Sequence, residues 1–275
     1  MTLLLDLSNE LLLQISSELG HERNINALSR TNRRLYFLLR NFLIQYNVWN
    51  SESSALLWAG RHGDEDLARK VLAEGGTAQV TGRQWPWSPL TLAVANEHEN
   101  LVHLFLSCED LDINWSSKND CRIALSLAAE RGNFAIVETL LIMGRANPNK
   151  NFGEPVALSC ENGHQPIVEI FLRQDAIDLR PIIFNGLTPL SRAASKGHLG
   201  IAKLLLETAH VDPNDEEQFD HRTPFFWAAW MGHTDVVELL LAQNDVVPDK
   251  TYDMNRTPLS LVSLLPIRMT CCIVL

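Results

Sequence analysis

The chain has neither a cluster of basic residues nor a long apolar run. Its 23 lysine and arginine residues are outnumbered by 33 acidic residues, which gives a net charge of −10 and argues against a nucleic-acid backbone as a partner. This charge favours a partner with a basic surface. A membrane-spanning helix needs about 18 consecutive apolar residues. No such run occurs here, so no membrane span is expected.

Cysteine is scarce, and its spacing does not indicate a metal site. The five cysteines include no CxxC pair and no Cys/His ligand pattern, so we expect reduced intracellular thiols that mostly fill the core. The N-terminal sequence, MTLLLDLSNE, lacks the basic region of a signal peptide. Together these absences predict a cytoplasmic or nuclear protein.

Sequence signatures of catalysis are also missing. The chain has no GxSxG, no GxxxxGK[ST] and no GxGxxG after a predicted strand. His98 and His103 lie five residues apart, so on a helix they would point about 140° away from each other rather than converge on zinc. Residues 212–220 are acidic but lack the register of a calcium loop, and we expect a solvated loop. We therefore expect no enzymatic activity, no metal and no cofactor.

Units of about 34 residues recur through most of the chain. They start at Ser54, Ser88, Ile123, Glu154, Thr188, Thr223 and Thr257, at intervals of 31 to 35 residues. When each start is counted as position zero, position five is small in the first six units. Position nine is glycine in five of them, with Glu97 as the exception, and positions 13, 14, 17 and 18 are apolar or alanine. This self-similarity predicts an array over residues 51–275, with six repeats and a divergent or truncated seventh.

Each recurring position has a physical role in a pair of helices. Thr or Ser followed by Pro is typical of a helix N-cap with proline at the first helical position. The glycine at position nine supplies a left-handed residue that ends this first helix. The apolar positions form one face of a second helix, which can be buried only if the units stack. A histidine follows position nine in four units and is expected to form a structural ladder. These residues are His98, His164, His198 and His233.

The repeats resemble the ankyrin-repeat family. The pattern TPLHxAAxxGH is matched by TPLSRAASKGH from Thr188 and by TPFFWAAWMGH from Thr223, except at its histidine. Other residues take the place of that histidine, namely Leu57, Thr91, Ser126, Ala157, Ser191 and Phe226. The resemblance implies an all-α solenoid with β-hairpin-like finger loops, and a protein target held by the groove and the loop tips.

The N-terminal segment, residues 1–50, has a separate helical pattern. Leu11, Ile15 and Leu19 share one helix face, and Gly20 with the polar HERN predicts a break. The segment is similar to the F-box motif, L-P-x-E-L-L-x-x-I followed by a spaced Leu and L-S-x-x-x-R-x-L. The matching residues are Leu7, Glu10, Leu11, Leu12, Ile15, Leu19, Leu28, Ser29, Arg33 and Leu35. Ser8 replaces the family's proline, and serine can cap a helix itself.

The resemblance to F-box–ankyrin proteins of the fungal type implies a specific role. The N-terminal domain would dock on the Skp-type adaptor of a cullin–RING ubiquitin ligase, and the repeats would hold the substrate. The residues implied in adaptor binding are Leu7, Glu10, Leu11, Ile15 and Leu28. The alternative is an ankyrin scaffold with no ubiquitin role, in which the N-terminal helices only cap the array. A cap would bury Leu7, Glu10, Leu11 and Ile15 against the first repeat, whereas a receptor would leave them at least partly accessible.

Aromatic residues in the array are the candidates for target binding. Trp230 and Met231 occupy positions that are mostly polar in the other repeats, so both are expected to be exposed in the groove. Trp227, at position four like Trp58, and Phe225 are expected to pack between repeats. The loop tips offer further aromatics that either contact the target or pack within their own loops. These residues are Trp85, Trp87, Phe184 and Phe219.

The C-terminal residues raise a separate possibility. The seventh unit has Pro266 in place of glycine, and the chain ends in Cys-Ile-Val-Leu. This ending fits the CaaX pattern for prenylation at Cys272, yet no polybasic stretch precedes it to supply the second anchoring signal. A truncated repeat is therefore the favoured interpretation, and membrane binding is not expected unless Cys272 is prenylated.

Overall fold

The structure is a computed structural model. It describes residues 7–19, 22–50, 54–80, 87–116, 122–143, 145–174, 177–179, 186–208, 211–217, 221–248 and 250. The elements within these ranges are helices, and no strand occurs among them, as the predicted all-α solenoid requires. The chain divides into two compact units, residues 1–120 and residues 121–275, and we describe each by itself.

The first unit contains the N-terminal bundle and the first two helix pairs. Its helices are α1 Asn9–Glu18, α2 Glu22–Ser29, α3 Arg33–Asn50, α4 Ser54–His62, α5 Glu65–Ala73, α6 Pro89–Ala95 and α7 Glu99–Leu106. The second unit contains four more pairs. Its helices are α8 Ala124–Arg131, α9 Phe134–Ile142, α10 Lys150–Asn162, α11 Gln165–Leu172, α12 Pro189–Lys196, α13 Leu199–Leu206, α14 Pro224–Met231 and α15 Thr234–Leu241.

The N-terminal bundle is built by α1, α2 and α3 around a small apolar core. The fully buried core residues are Leu12, Ile25, Leu35 and Leu39. Ser8 caps α1, since its Oγ accepts a hydrogen bond from the backbone N–H of Leu11 at 3.4 Å. The break predicted over HERN is shorter than expected, because α2 already begins at Glu22.

The bundle joins the first repeat through the C-terminal half of α3, which packs on α4 and α5. Asn47 is buried and lies at this junction. Its side-chain amide donates to Ser54 Oγ at 2.8 Å, and its Oδ1 accepts from the backbone N–H of Ala55 at 2.9 Å. Asn47 thereby satisfies a free N–H at the start of α4 from a different helix.

Three of the later first helices, α6, α12 and α14, begin as the sequence predicts. The other two differ, because Ile123 provides no side-chain cap for α8, and α10 begins at Lys150, before the unit start at Glu154. Ser88, Thr188 and Thr223 each accept a hydrogen bond from the backbone N–H three residues on, and proline follows each of them. The repeat glycines end these helices in the left-handed conformation. Their φ angles are +77° at Gly132, +79° at Gly163, +75° at Gly197 and +78° at Gly232. At Glu97 the same turn has φ 59°, although the residue is not glycine.

The predicted histidine ladder links successive repeats within each unit. The ring of His164 lies over Gly132, and its Nε2 is 3.0 Å from the carbonyl oxygen of Glu130. Since a carbonyl can only accept, this nitrogen carries the proton. The other three histidines repeat the arrangement, with His98 3.3 Å from Arg61 O, His198 3.0 Å from Glu161 O and His233 3.0 Å from Ser195 O.

Two helix layers run through the second unit. The first helices α8, α10, α12 and α14 pack against one another in order, and so do the second helices α9, α11, α13 and α15. The predicted apolar positions of the second helices are mostly buried, as Ile201, Ala202 and Leu205 show in α13. The two inner first helices, α10 and α12, therefore each have one side against the partner helix, two against neighbouring repeats, and one side free.

Candidate protein-binding face

The free side of the first helices carries position eight of each described repeat and position seven of each except Ala95, which is buried. It also includes position four where that residue is accessible, at Trp58, Leu158, Arg192 and Trp227. In α12, every residue from Pro189 to Ala194 is buried except Arg192, and Ser195 and Lys196 are accessible. We call these positions, together with the residue before each N-cap, the first-helix face. In the second unit position eight is exposed in every repeat, at Arg131, Asn162, Lys196 and Met231.

One end of this face carries an aromatic cluster in the sixth repeat. The ring of Trp230 stacks on Phe226 with centroids 5.9 Å apart, and Trp227 meets Phe226 edge-on at 5.7 Å. The guanidinium of Arg222 lies over both Phe226 and Trp227, at 5.2 and 5.3 Å from the ring centroids. Met231, which is 38% exposed, lies next to this cluster in the chain.

The structure modifies the expected exposure of the tryptophans. Trp230 is half-buried rather than fully exposed, because one ring face is covered by Phe226. Phe225 is buried, as expected for a residue packed between repeats, but Trp227 is only partly buried. Trp58 is 50% exposed, whereas Leu92 and Leu127 at the same position are buried, so position four is a framework position in some repeats only. Arg192 at the same position could have signalled this, since arginine is rarely placed in a core.

Ion pairs occupy the middle of the face. Arg122 pairs with Glu130 at 2.8 Å between side-chain atoms. Glu161 contacts two cations, because Arg192 pairs with one carboxylate oxygen and Lys196 lies 3.7 Å from the other. The two pairs that include Glu161 join the first helices of neighbouring repeats. They also leave more positive than negative charge at this part of the face.

The first unit presents a different version of the face. Trp58 stacks on His62 with ring centroids 4.3 Å apart, and Arg61 between them is exposed. Trp87, one of the predicted loop-tip residues, is partly buried just before the N-cap Ser88. The other three predicted tip residues, Trp85, Phe184 and Phe219, lie outside the described residues, as does Cys272.

The structure separates the five residues predicted for adaptor binding into two groups. Leu7 and Leu28 are half-buried and pack against the core of the N-terminal bundle. Glu10 and Leu11 are exposed on α1, Leu11 to 47%, and Ile15 is half-buried without being part of that core. The outer side of α1 is therefore partly apolar and accessible.

The described residues include two free cysteines, Cys108 and Cys160. Burial raises the pKa of the Cys160 thiol to about 12, against smaller opposite effects from Arg192 and Ser159, so it is protonated near neutral pH. Burial, with Asp110, also raises the pKa of Cys108. Within the described ranges, no three His, Cys, Asp or Glu side chains form a group that could hold a metal ion. No helix there is both long and apolar enough to cross a bilayer.

Comparison with known proteins gives related chains. The chain is 32% identical over 188 residues to Ankyrin repeat protein nuc-2 of Neurospora crassa, which covers 67% of this chain and 17% of that protein. It is 30% identical over 242 residues to Ankyrin repeat and KH domain-containing protein mask-1 of Caenorhabditis elegans, or 76% of this chain and 9% of that protein. It is 28% identical over 182 residues to Glycerophosphocholine phosphodiesterase GDE1 of Candida albicans, or 64% and 15%.

These matches cover less than a fifth of each relative's length, so they identify a shared module rather than a shared protein. The family description "Ankyrin repeats (3 copies)" matches residues 56–152, 125–217 and 156–257, which together make up well over half of the chain. This match begins after the N-terminal bundle. The helix pairs, the glycine turns and the histidine ladder agree with it, and the chain belongs to the ankyrin-repeat family.

Proposed function

We propose that this protein is a non-enzymatic substrate receptor of a Skp–cullin–F-box ubiquitin ligase, with its target held on the first-helix face. The ankyrin repeats indicate a protein–protein interaction module. The more specific role depends on one observation. The bundle of α1, α2 and α3 has its own core and still leaves the motif residues Glu10 and Leu11 exposed.

The exposure of Leu11 has an energetic meaning. A leucine that is nearly half exposed can still bury about half of its apolar surface against a partner, and a neighbouring apolar side chain, Ile15, extends the same surface. The start of α1 is held in place by Arg34, which donates to the carbonyl oxygen of Leu7 at 3.2 Å and to Asn9 Oδ1 at 2.9 Å. A rigid helix with an apolar outer side suits a partner that covers it.

The second candidate function is a scaffold whose N-terminal helices only cap the array. The observation that favours it is the junction at Asn47, where α3 packs on α4 and α5 as a terminal cap should. The two functions differ at α1, because capping by α3 needs no accessible apolar residues on α1. The cap alone therefore leaves Leu11 and Ile15 without a role.

Co-purification with the Skp-type adaptor tests the receptor function. We expect the full chain to capture the adaptor, and Leu11→Asp to abolish capture because it places a charge in the apolar contact. Ser17→Asp is the matched control. It adds the same charge to the same exposed helix, about 120° around the axis from Leu11, and should leave capture unchanged.

The outcomes separate the two candidate functions. Equal melting temperatures for both variants show that the bundle still folds, since neither residue belongs to its core. If the wild-type chain captures no adaptor, or if Leu11→Asp captures as much as Ser17→Asp, the receptor function is rejected. The cap function would then stand, because it depends on Asn47 rather than on α1.

The C-terminal cysteine adds a conditional element to this proposal. A protein that acts through two protein partners in the cytoplasm or nucleus needs no membrane anchor, so we propose that Cys272 is unmodified. Intact-mass spectrometry of the protein from its native cell is the test. A mass increase equal to one geranylgeranyl group, with loss of the last three residues, would contradict this and make the membrane a partner.

A further inference from the structure

Charge is distributed unevenly between the two helix layers. In the second unit, the four first helices carry four cations and three carboxylates, a net charge of +1. The four second helices carry one cation and four carboxylates, a net charge of −3. The layer that presents the binding face is therefore positive in a chain whose net charge is −10.

Within the second unit the positive charge lies on the first-helix face itself. Five cations occupy or border this face, and three carboxylates face them. The cations are Arg122, Arg131, Arg192, Lys196 and Arg222, and the carboxylates are Glu130, Glu161 and Glu217. Glu217, 3.6 Å from Arg222, is buried, whereas Arg131 and Lys196 are exposed. The charge that a ligand meets first is positive.

The exposed residues at position eight form a row across four successive repeats. Its members are Arg131, Asn162, Lys196 and Met231, in the order of α8, α10, α12 and α14. Packed helices lie about 8–10 Å apart, so the two cations are about 20 Å apart, and Met231 is about 10 Å beyond Lys196. An extended peptide covers about 3.3 Å per residue. A peptide that follows the row would therefore place two negative charges about six residues apart, and an apolar side chain about three residues beyond the second charge.

We propose that the first-helix face of residues 122–231 binds an extended acidic segment of a partner protein, with carboxylates at Arg131 and Lys196 and one large apolar side chain at Trp230 and Met231. The proposal rests on the proposed function, since it names the chemistry of the target held on that face. It reverses the expectation of a basic partner that the net charge alone gives. The acidic second-helix layer would repel such a segment, which restricts it to one face.

The apolar end of the row is suited to one side chain. Trp230 is held by its stack on Phe226, so one ring face is fixed and the side chain loses little further freedom on binding. Met231 adds a flexible, polarisable surface beside it. An aromatic or long aliphatic side chain fits this combination better than a second charge, because the surface offered by the rings and the thioether is apolar apart from the indole N–H groups.

Selection of peptides from a random 16-residue display library on the full-length chain tests the proposal. We expect the enriched peptides to contain aspartate or glutamate and one aromatic or large aliphatic residue. The dissociation constant of the tightest-binding peptide is then measured by fluorescence polarisation for the wild-type chain and three variants, Lys196→Glu, Trp230→Ala and Lys203→Glu. We expect Lys196→Glu to weaken binding at least tenfold, Trp230→Ala to weaken it similarly, and raised salt to weaken it further.

Lys203→Glu is the matched control, because it makes the same charge change at an exposed residue of α13, on the opposite layer. It should change the dissociation constant less than twofold. Enriched peptides that are basic or neutral, and that depend on Trp230 but not on Lys196, would reject the acidic partner and keep the face as the binding site. Binding that ignores both substitutions, or no enrichment at all, would reject the face and the acidic partner together.

Discussion

The contact between neighbouring repeats and the contact between the N-terminal bundle and the array lie at opposite ends of a first helix. Within each unit, a histidine of the next repeat pairs with a carbonyl oxygen at the C-terminal end of the first helix, as His164 does with Glu130. At the bundle, Asn47 pairs with the N–H of Ala55 at the N-terminal end of α4. Both links satisfy backbone groups that a helix leaves unpaired at its ends.

The comparison explains why one link is visible in the sequence and the other is not. The histidine link needs a glycine of the preceding repeat beneath the ring, so the glycine and the histidine each recur at a fixed position of the repeat. The asparagine link occurs once and has no periodic signature. Between the second and third repeats, both residues of the link are replaced in the sequence. Glu97 occupies the glycine position of the second repeat, and Asn133 occupies the histidine position of the third. The division between the two units falls between these residues, after residue 120.

The largest expected effect tests whether Gly132 is needed for the contact with the His164 ring or only for its left-handed backbone conformation. In Gly132→Ala the added Cβ would lie 2.5 Å from Cε1 of His164, in a residue with φ +77°. We expect a loss of about 3 kcal/mol in the free energy of unfolding by urea, from backbone strain and from displacement of the ring. Gly75→Ala is the control, because Gly75 has φ +85° and open space around it. A loss of about 1 kcal/mol is expected there, and equal losses in both variants would show that the ring contact is unimportant.

The asparagine link has the next largest expected effect. Asn47→Ala removes two hydrogen bonds at a buried position and leaves the N–H of Ala55 without its acceptor. We expect about 2 kcal/mol of destabilisation in urea unfolding. Gln45→Ala is the control from the same helix, since Gln45 is exposed and its bond to Glu74 is at the surface. Destabilisation of less than about 0.5 kcal/mol in Asn47→Ala would contradict the capping role of α3.

The histidine links themselves should differ in strength. His164→Ala removes a partly buried hydrogen bond of 3.0 Å, and we expect a loss of about 1.5 kcal/mol in urea unfolding. His98→Ala removes an exposed contact of 3.3 Å, for which about 0.5 kcal/mol is expected. An equal loss in the two variants would show that exposure to water does not weaken the link in the first unit.

Much of the fold could be predicted from the sequence because the same helix-capping and helix-ending residues recur at the same positions of several repeats. The N-caps at Thr188 and Thr223 and the glycine turns follow directly from local backbone chemistry. The Asn47 junction could not be predicted, because it depends on how α3 meets α4, and the sequence alone does not distinguish Asn47 from Asn41 and Asn50 of the same helix.

The candidate site was predictable in position but not in its detail. Positions seven and eight stood out because they are mostly polar, and the structure places them on the free side of the first helices. The partial burial of Trp230 depends on the ring of Phe226 one turn earlier, which sequence spacing allows but does not require. The positive charge of the face was hidden in the net charge of the whole chain, because most of the 33 acidic residues lie outside the first helices.

The smallest expected effect concerns the turn where the glycine is missing. Glu97 is exposed and has φ 59°, a conformation that costs an L-residue about 1–2 kcal/mol, whereas glycine adopts it freely. Glycine also loses more backbone entropy on folding, so Glu97→Gly should stabilise the first unit by only about 0.5 kcal/mol. Glu97→Ala keeps the strain while removing the charge, and should leave the urea midpoint unchanged. If both substitutions raise the midpoint equally, the gain comes from removing a carboxylate in an acidic chain, and the turn is not strained.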